Sequence, residues 1–376
     1  MIYLDNSATT RIDDDVLDAM LPWLREGFGN ASSVYALGRT ARVAIEDART
    51  EIASFMNAHP AELIFTSGGT EANNTILKTC LYESALVQRI VHSATEHHAI
   101  LHPLDVIRQQ GGEVYECLVD ENGRIDPPSL VTFNEPSSLV TVMHANNETG
   151  VVQPIASLRS ALPLARIHTD AVQSFGKIPF DVQELGVDFA SVSAHKIHGP
   201  KGIGAMFIRK GLDVKAHQQG GAQERNRRAG TEPTALIIGF QIAARNAVAA
   251  LEQRALHMRA LIDRARTQIA ASIPNIRVNT PVNETLPHIL NLSFLDAEMI
   301  DGESLLQSTD MRGLAVSNGS ACVSGSLQPS HVLKAMGRSD AEARAAVRIS
   351  VSKDTTTEEI DRAVAILSDI VRIMRG

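Results

Sequence analysis

Between residues 45 and 210 the chain alternates short β-rich runs with helical patterns, and this alternation constrains the fold more than any other feature. Runs such as 63–65, 89–91 and 139–143 are short, apolar and rich in β-branched or aromatic residues. Longer stretches with helical periodicity, such as 71–81, lie between them. Repeated βαβ units align their strands in parallel and cover both faces of the sheet with helices. We therefore predict an α/β fold built on a large, mostly parallel sheet.

The strand and helix patterns continue beyond this region. Residues 202–208 predict one more strand after the Gly199-Pro200 turn, with an antiparallel orientation as one option, and 236–273 form one long helical pattern. The later patterns predict strands at 288–294, 314–317 and 347–351, and a helix at 302–308. Thr356 and Glu359 then form a capping-box pattern, which marks the start of the last helix.

The length of the chain predicts two unequal domains. A chain of 376 residues exceeds what one simple core usually contains. We expect a large domain at 15–255 and a small domain formed by 1–14 together with 256–376.

Charge and composition exclude several classes of protein. The formal net charge of −8 gives the chain no overall attraction for nucleic acid, so no direct nucleic-acid binding is expected. The sequence has no apolar run long enough to span a bilayer, and its first residues do not resemble a signal peptide. We expect a cytoplasmic protein that does not bind membranes.

The chain has three cysteines, Cys80, Cys117 and Cys322. Their wide spacing and odd number argue against a disulfide framework and against a cysteine-rich metal site, and no metal is expected. Cys80 falls in a helical pattern and Cys117 in a strand pattern, so both should be buried. Cys322 differs, because the surrounding segment 317–326 is small and polar with nothing bulky to bury it. It predicts an accessible thiol, which is the condition for nucleophilic attack.

A glycine-rich turn joins a predicted strand to a predicted helix at Gly68-Gly69-Thr70. Main-chain amides at such a turn, together with the N-terminus of the helix, favour a phosphate group. The alternative is a turn of the same kind that binds nothing.

Two charged residues follow predicted strands. Lys196 lies between a buried-looking strand and the Gly199-Pro200 turn, where burial would lower its pKa and prepare the amine to form a Schiff base. Asp170 follows the strand pattern 166–168, at the position where α/β folds place ligand contacts. The alternatives are a salt-bridged lysine at a strand end and an aspartate that caps a helix.

Two polar residues follow other strands. His97 lies just past the strand at 89–92 and could stack on a planar cofactor and transfer protons, although His98 could take that role or the histidine could be structural. Asn147 ends another strand and could bond a ring hydroxyl, or could simply belong to a turn.

Together and in this order, these segments resemble the cysteine desulfurases of the NifS/IscS kind, a class-V aminotransferase group of fold-type I pyridoxal-phosphate (PLP) enzymes. The resemblance extends from Tyr3 to the last helix and is carried by the segments 67–71, 168–174, 195–204 and 319–322. It implies a seven-stranded, mostly parallel sheet domain and a smaller α/β C-terminal domain. It also implies PLP as the cofactor, a homodimer, and transfer of sulfur from L-cysteine to Cys322. The products would be L-alanine and a Cys322 persulfide that is passed to an acceptor protein.

The resemblance implies a role for each site residue. Lys196 would bind PLP as a Schiff base, and Lys196, His97 and Cys322 would be catalytic. The remaining cofactor contacts would be Asp170 at the pyridinium nitrogen, His97 on the ring, Asn147 and Gln173 beside the 3-hydroxyl, and Gly69, Thr70, Ser193 and His195 at the phosphate. Thr231 would reach the phosphate of the partner subunit. Arg348 would bind the substrate carboxylate, beside Asn147.

The chain departs from the family pattern in a few places. Ala194 and the pair Ala222-Gln223 replace a glycine and a Gly-His pair that are common there. The chain ends at Gly376, without the tail through which housekeeping desulfurases dock their scaffold. The acceptor is therefore open among iron–sulfur assembly, tRNA thiolation and DNA phosphorothioation. Selenocysteine lyase activity, or an aminotransferase or lyase of the same fold, is the alternative, and a catalytically silent scaffold is a further one.

Overall fold

The computed structural model describes residues 1–83, 86–319 and 328–376. Within them, a sheet of seven strands has the order β2-β8-β7-β6-β5-β3-β4. Its strands are β2 (Leu63–Thr66), β3 (Arg89–Ser93), β4 (Glu113–Cys117), β5 (Ser138–Thr141), β6 (Arg166–Asp170), β7 (Phe189–Ser193) and β8 (Gly204–Ile208). The pairs from β4 to β7 are parallel, whereas β8 runs antiparallel to both β2 and β7. The predicted α/β class is confirmed, and the strand predicted at 202–208 is antiparallel.

Helices cover the sheet on both faces and continue into the second half of the chain. They are α1 (Asp14–Arg25), α2 (Ala36–Ser54), α3 (Gly69–Lys78), α4 (His98–Gln109), α5 (Ile155–Ala161), the short α6 (Gln223–Asn226), α7 (Thr234–Ala249), α8 (Leu251–Ser272), α9 (Gly302–Met311), α10 (His331–Ala335), α11 (Asp340–Arg344) and α12 (Thr357–Arg375).

Successive residues of the central strands enter two different cores, because side chains alternate across a strand. In β3, Ile90 packs in the cluster that contains Ile100 of α4, while Val91 packs in the cluster that contains Ile45 of α2. Both faces are therefore dry, which explains why these strands are continuous apolar runs in the sequence.

A second region is built around an antiparallel sheet with the order β12-β10-β9. Its strands are β9 (Ile276–Val278), β10 (Ile289–Phe294) and β12 (Ala346–Ser350). Apolar side chains of α8 and α12 pack against this sheet in a core of their own. The N-terminal strand β1 (Ile2–Tyr3) belongs to this region, since it pairs in parallel with β11 (Leu314–Ala315).

The helical pattern at 236–273 is two helices rather than the single one predicted. α7 ends at Ala249, and α8 starts at Leu251 with its axis turned by 73°. Apolar periodicity continues through Ala250, because each helix buries its own stripe, so the pattern alone did not reveal the bend. Among the described residues no single helix is long and apolar enough to cross a membrane, although this bent pair passes the same test of length and composition.

The last helix begins as predicted. Thr356 Oγ1 accepts a hydrogen bond from the Glu359 amide, and Glu359 Oε2 accepts one from the Thr356 amide. Its apolar stripe, which includes Ile360 and Leu367, is buried in the second core.

Candidate active site

A cavity of about 390 Å³ opens where the strands of the large sheet end and β12 of the second region approaches them. Its lining contains most of the residues that the sequence predicted for the site: Gly69, Thr70, His97, Asn147, Asp170, Gln173, Ser193, His195, Lys196 and Arg348. Thr231 is exposed and does not line this cavity. Cys322 lies outside the described residues.

One end of the cavity is shaped to receive an anion. The N-terminus of α3 faces it through Gly69 and Thr70, and unpaired amides at a helix N-terminus attract negative charge. A Cβ added to Gly69 would lie 2.4 Å from Cγ2 of Val172, so only glycine brings the main chain this close. The nearest acidic side chain of this turn, Glu71, is already occupied by Arg228 and by the amide of Ser67.

His195 lies at the same cavity and is neutral at physiological pH. Burial and the positive charge of Lys196 lower the pKa of His195 to about 4. Its Nδ1 lies 3.1 Å from Thr9 Oγ1, and its main-chain oxygen accepts hydrogen bonds from the Thr10 amide and hydroxyl. A neutral imidazole fixed in this way binds an anion as a hydrogen-bond donor, not as a charge.

Asp170 is a buried carboxylate with both oxygens engaged. Asn73 Nδ2 donates to Oδ2 at 2.7 Å, and the amide of Val172 donates to Oδ1 at 2.9 Å. These contacts fix the plane of the carboxylate at the end of β6. The bond to Val172 also satisfies the alternative from the sequence, a local capping role, so Asp170 caps the turn and borders the cavity at the same time.

His97 is fixed by a helix cap. Its Nδ1 accepts a hydrogen bond from the Ala99 amide at 3.0 Å, which leaves the proton of the neutral ring on Nε2. Burial lowers the pKa of His97, so the ring is neutral near pH 7. His98 also lines the cavity, but its ring packs against His102 and His331, with ring centroids 4.7 and 4.9 Å apart.

Lys196 projects from the turn after β7 and is held by main-chain oxygens. Its Nζ donates to Ser7 O at 2.5 Å and to Ala8 O at 2.7 Å. Burial, followed by the charge of Arg348, lowers the pKa of Lys196 to about 8. A substantial fraction of the amine is therefore uncharged at physiological pH, as nucleophilic attack on a carbonyl requires.

Arg348 reaches the cavity from inside β12. Its Nη2 donates to Asp5 Oδ1 at 2.6 Å and its Nη1 to the main-chain oxygen of Asn147 at 2.9 Å. The side chain is only 5% exposed, and its buried Nε has no hydrogen-bond partner among residues 1–83, 86–319 and 328–376. An arginine held in this way offers a further donor to a carboxylate in the cavity.

The sequence analysis missed several residues of this cavity. Ser7 and Ala8 line it because the N-terminal segment passes over Lys196, and Asp5 fixes Arg348. Glu148 is fully buried there, accepts a hydrogen bond from Ser330 Oγ at 2.5 Å, and has a pKa raised by burial. Glu148 could have been predicted as a cavity residue because it follows Asn147 in the sequence. Nothing in the local sequence indicates that the carbonyl groups of Ser7 and Ala8 line the cavity.

The other two cysteines are unreactive in this fold, as predicted from their patterns. Cys80 and Cys117 are both buried. Burial raises the pKa of the Cys80 thiol to about 12 and that of Cys117 to about 11, so neither forms the thiolate near neutral pH.

The residues around the cavity fit a phosphorylated pyridine aldehyde. A buried amine with a lowered pKa, a fixed carboxylate and a helix N-terminus with a glycine approach all border one space. These groups match the aldehyde, the ring nitrogen and the phosphate of PLP, respectively. The volume also lies within the range of small-molecule sites.

Comparisons with known proteins agree with this geometry. The class-V aminotransferase family model matches residues 2–363. The chain is 41% identical to the cysteine desulfurase IscS of Dictyoglomus turgidum, in an alignment that covers 100% of this chain and 95% of the relative. It is 40% identical to the cysteine desulfurase NifS of Azotobacter vinelandii, with coverages of 100% and 94%. A solved structure of a NifS-like protein superposes with a TM-score of 0.91 at 35% identity, covering 99% of both chains.

Proposed function

The chain belongs to the class-V aminotransferase family and is a PLP-dependent cysteine desulfurase, and from this premise we propose which of its side chains perform the reaction. In this proposal Lys196, His97 and Cys322 react, Arg348 binds the substrate, and the other cavity residues hold the cofactor. Bound PLP supplies an electron sink for the α-carbon of cysteine.

The observation that supports these roles best is the convergence of Lys196, Asp170 and Arg348 on one cavity. Lys196 follows β7, Asp170 ends β6 and Arg348 lies in β12, and these strands belong to two different sheets. A structural role for any one of them would not require the other two to border the same space. In the proposal Asp170 pairs with the ring nitrogen, while Gly69, Thr70, Ser193 and His195 bind the phosphate.

Lys196 is proposed as the group that binds the cofactor and then moves protons. Its lowered pKa suits both tasks, because an amine that titrates near pH 8 can accept and return a proton under physiological conditions. His97 is neutral and carries its ring proton on Nε2, so it can lie against the ring of the cofactor and assist this transfer.

Arg348 is proposed to bind the carboxylate of cysteine, with Asn147 beside it. Asp5 and the oxygen of Asn147 fix the guanidinium plane, which leaves the substrate to meet an oriented donor. Asn147 and Gln173 would contact the oxygen on the cofactor ring.

Cys322 is proposed as the sulfur carrier. Its thiolate would form an S–S bond with the sulfur of the substrate, and the electron pair of the breaking C–S bond would stay with carbon. Protonation of that carbon by Lys196 gives alanine, and the sulfur remains as a persulfide for an acceptor protein. The burial and high pKa of Cys80 and Cys117 support Cys322 over both alternatives.

The first test compares alanine and sulfide release from L-cysteine with a reductant, in wild type and Cys322→Ala. We expect the variant to keep its bound cofactor, measured by visible absorbance, and to lose turnover. Cys117→Ala is the matched control, since it removes a thiol elsewhere, and it should retain activity. Sulfide release by Cys322→Ala at the wild-type rate would reject Cys322 as the carrier and favour a lyase.

We also propose a cytoplasmic homodimer in which Thr231 contacts the cofactor phosphate of the partner subunit. Its exposure, and its separation from the cavity of its own subunit, support this role. A monomeric holoenzyme in light scattering would contradict it, and so would unchanged cofactor affinity in Thr231→Val.

A further inference from the structure

A second lysine, Lys177, is buried behind the cavity and has no part in the proposed reaction. Its Nζ lies 3.2 Å from Gln173 Oε1 and 3.1 Å from His288 Nε2. Both partners are neutral when His288 is unprotonated, so within the described part of the chain no carboxylate pairs with this buried amine. Burial, followed by the charges of Lys196 and Arg348, keeps the pKa of Lys177 well below its usual value. Such a group is costly to bury, which calls for an explanation beyond packing.

The location of Lys177 is set by the main chain. Gly176 has φ of +71°, and a Cβ there would lie 2.9 Å from that of Ala247 and 3.0 Å from Cγ2 of Ile197. The turn therefore packs directly against the residue that follows Lys196. A small cavity of about 20 Å³ is bordered by Lys177, Lys196 and His288 together.

Two contacts orient the Gln173 amide, one at its oxygen and one at its nitrogen. A protonated lysine amine has no lone pair to accept a hydrogen bond, so the atom of Gln173 that faces Lys177 Nζ is the oxygen Oε1. Nε2 is then directed away from Lys177, and it donates to Ser7 O at 2.8 Å. The same oxygen accepts from Lys196 Nζ at 2.5 Å. A chain of contacts thus runs from His288 through Lys177, Gln173 and Ser7 to Lys196.

We propose that Lys177, backed by His288, is a positioning residue that keeps the N–H₂ group of Gln173 facing the cofactor site and thereby sets the proton affinity of the Lys196 nitrogen. This inference rests on the proposed function, because it requires PLP bound to Lys196 with a ring oxygen near Gln173. Without Lys177 only the bond from Nε2 to Ser7 O holds this orientation, so the amide rotates more readily and presents its oxygen to the cofactor site. A hydrogen-bond donor to the ring oxygen disperses the negative charge on that oxygen. When the donor is lost, the more negative oxygen stabilises a proton on the neighbouring Lys196 nitrogen and raises the pKa of that nitrogen.

The test is a pH titration of the visible absorbance of the PLP-loaded dimer, in wild type and Lys177→Met. We expect the midpoint of the absorbance change to rise by about one pH unit, which corresponds to about 1.4 kcal/mol between the two protonation states. Lys210→Met is the matched control, because it removes an exposed lysine from the same domain, and its midpoint should equal that of wild type. Lys177→Gln keeps an N–H donor in a smaller side chain, and its midpoint should lie between those of wild type and Lys177→Met.

A double-mutant cycle separates positioning from a general charge effect. If Lys177 acts through the amide, Gln173→Ala shifts the midpoint and adding Lys177→Met produces little further change. Additive shifts would overturn the inference, as would an unchanged midpoint in Lys177→Met or in Lys177→Gln. If the wild type takes up no PLP, the proposed function itself fails, and the two failures are therefore distinguishable. Lys177→Gln serves as the test variant should Lys177→Met fail to fold.

Discussion

The two sides of the cavity hold positive charge in opposite ways. On the side of the large sheet, the partners of Lys196 and Lys177 among the described residues are carbonyl oxygens and neutral side chains. On the side of the small sheet, Arg348 forms an ion pair with Asp5. Burial without a counter-ion lowers the pKa of an amine, whereas a guanidinium stays charged in every protein setting. This difference supports the proposed roles, with proton transfer on the first side and carboxylate binding on the second.

The difference follows from the elements that supply each residue. Lys196 lies in the turn after a strand, where the N-terminal segment passes over it and offers main-chain oxygens. Arg348 lies within β12, which bridges to Asp5 through Ser350, so the strand itself brings the carboxylate into place. The turn therefore places Lys196 among the dipoles of main-chain carbonyl groups, whereas the strand pairing gives Arg348 the fixed negative charge of Asp5.

The burial of Lys196 among main-chain oxygens should make the stability of the cofactor-free protein depend on pH. The pKa of Lys196 is about 8 in the fold and 10.5 when unperturbed. Between these values the unfolded chain binds more protons than the folded chain, so the free energy of unfolding rises with pH across that window. The increase due to Lys196 between pH 8 and pH 10 is on the order of 2 kcal/mol. Urea denaturation of the apoprotein at pH 8 and pH 10 measures it.

Lys196→Met supplies the control for this measurement. The variant has no amine to deprotonate, so the pH-dependent increment seen in wild type should be smaller in it by the contribution of Lys196. The charged neighbours Arg348, Asp5 and Asp170 are unchanged in the variant. Parallel pH profiles for the two proteins would show that the amine is not destabilised by the fold, and the contrast between the two sides would then be lost.

The sequence predicts the first side of the cavity better than the second. Strand patterns that end in Asp170 or precede Lys196 are local, and parallel strands bring their carboxyl ends to one edge. The partners of Arg348 come from residues 5, 147 and 317, and such contacts depend on tertiary packing. The bend at Ala250 and the enclosure of Lys177 were missed for the same reason, because neither leaves a periodic signal in the chain.

The fixed charge on the small-sheet side can be tested by Arg348→Lys. The variant keeps a positive charge but loses the planar donor set, so kcat/KM for cysteine should fall by about 10- to 100-fold, mainly through KM. Steady-state alanine release measures both constants. Arg344→Lys is the matched control, since this residue of α11 does not line the cavity, and it should leave both constants unchanged. A fall in kcat at constant KM would instead assign Arg348 a role in the chemical step.

A change in the small-sheet region that leaves the cavity untouched sharpens the comparison, because it separates stability from substrate binding. Thr356→Ala removes the side-chain cap of α12, where Thr356 Oγ1 accepts from the Glu359 amide at 3.2 Å. We expect a loss of about 1 kcal/mol in the free energy of unfolding, with kcat and KM unchanged. Thr357→Ala, one residue further along, makes the same chemical change without removing the cap and should lose less. If Thr356→Ala raised KM as much as Arg348→Lys does, the position of Arg348 would depend on the whole small-sheet region. The pairing with Asp5 would then be insufficient to fix the guanidinium of Arg348. The contrast with Lys196, which has no such ion pair, would no longer explain how the two sides differ.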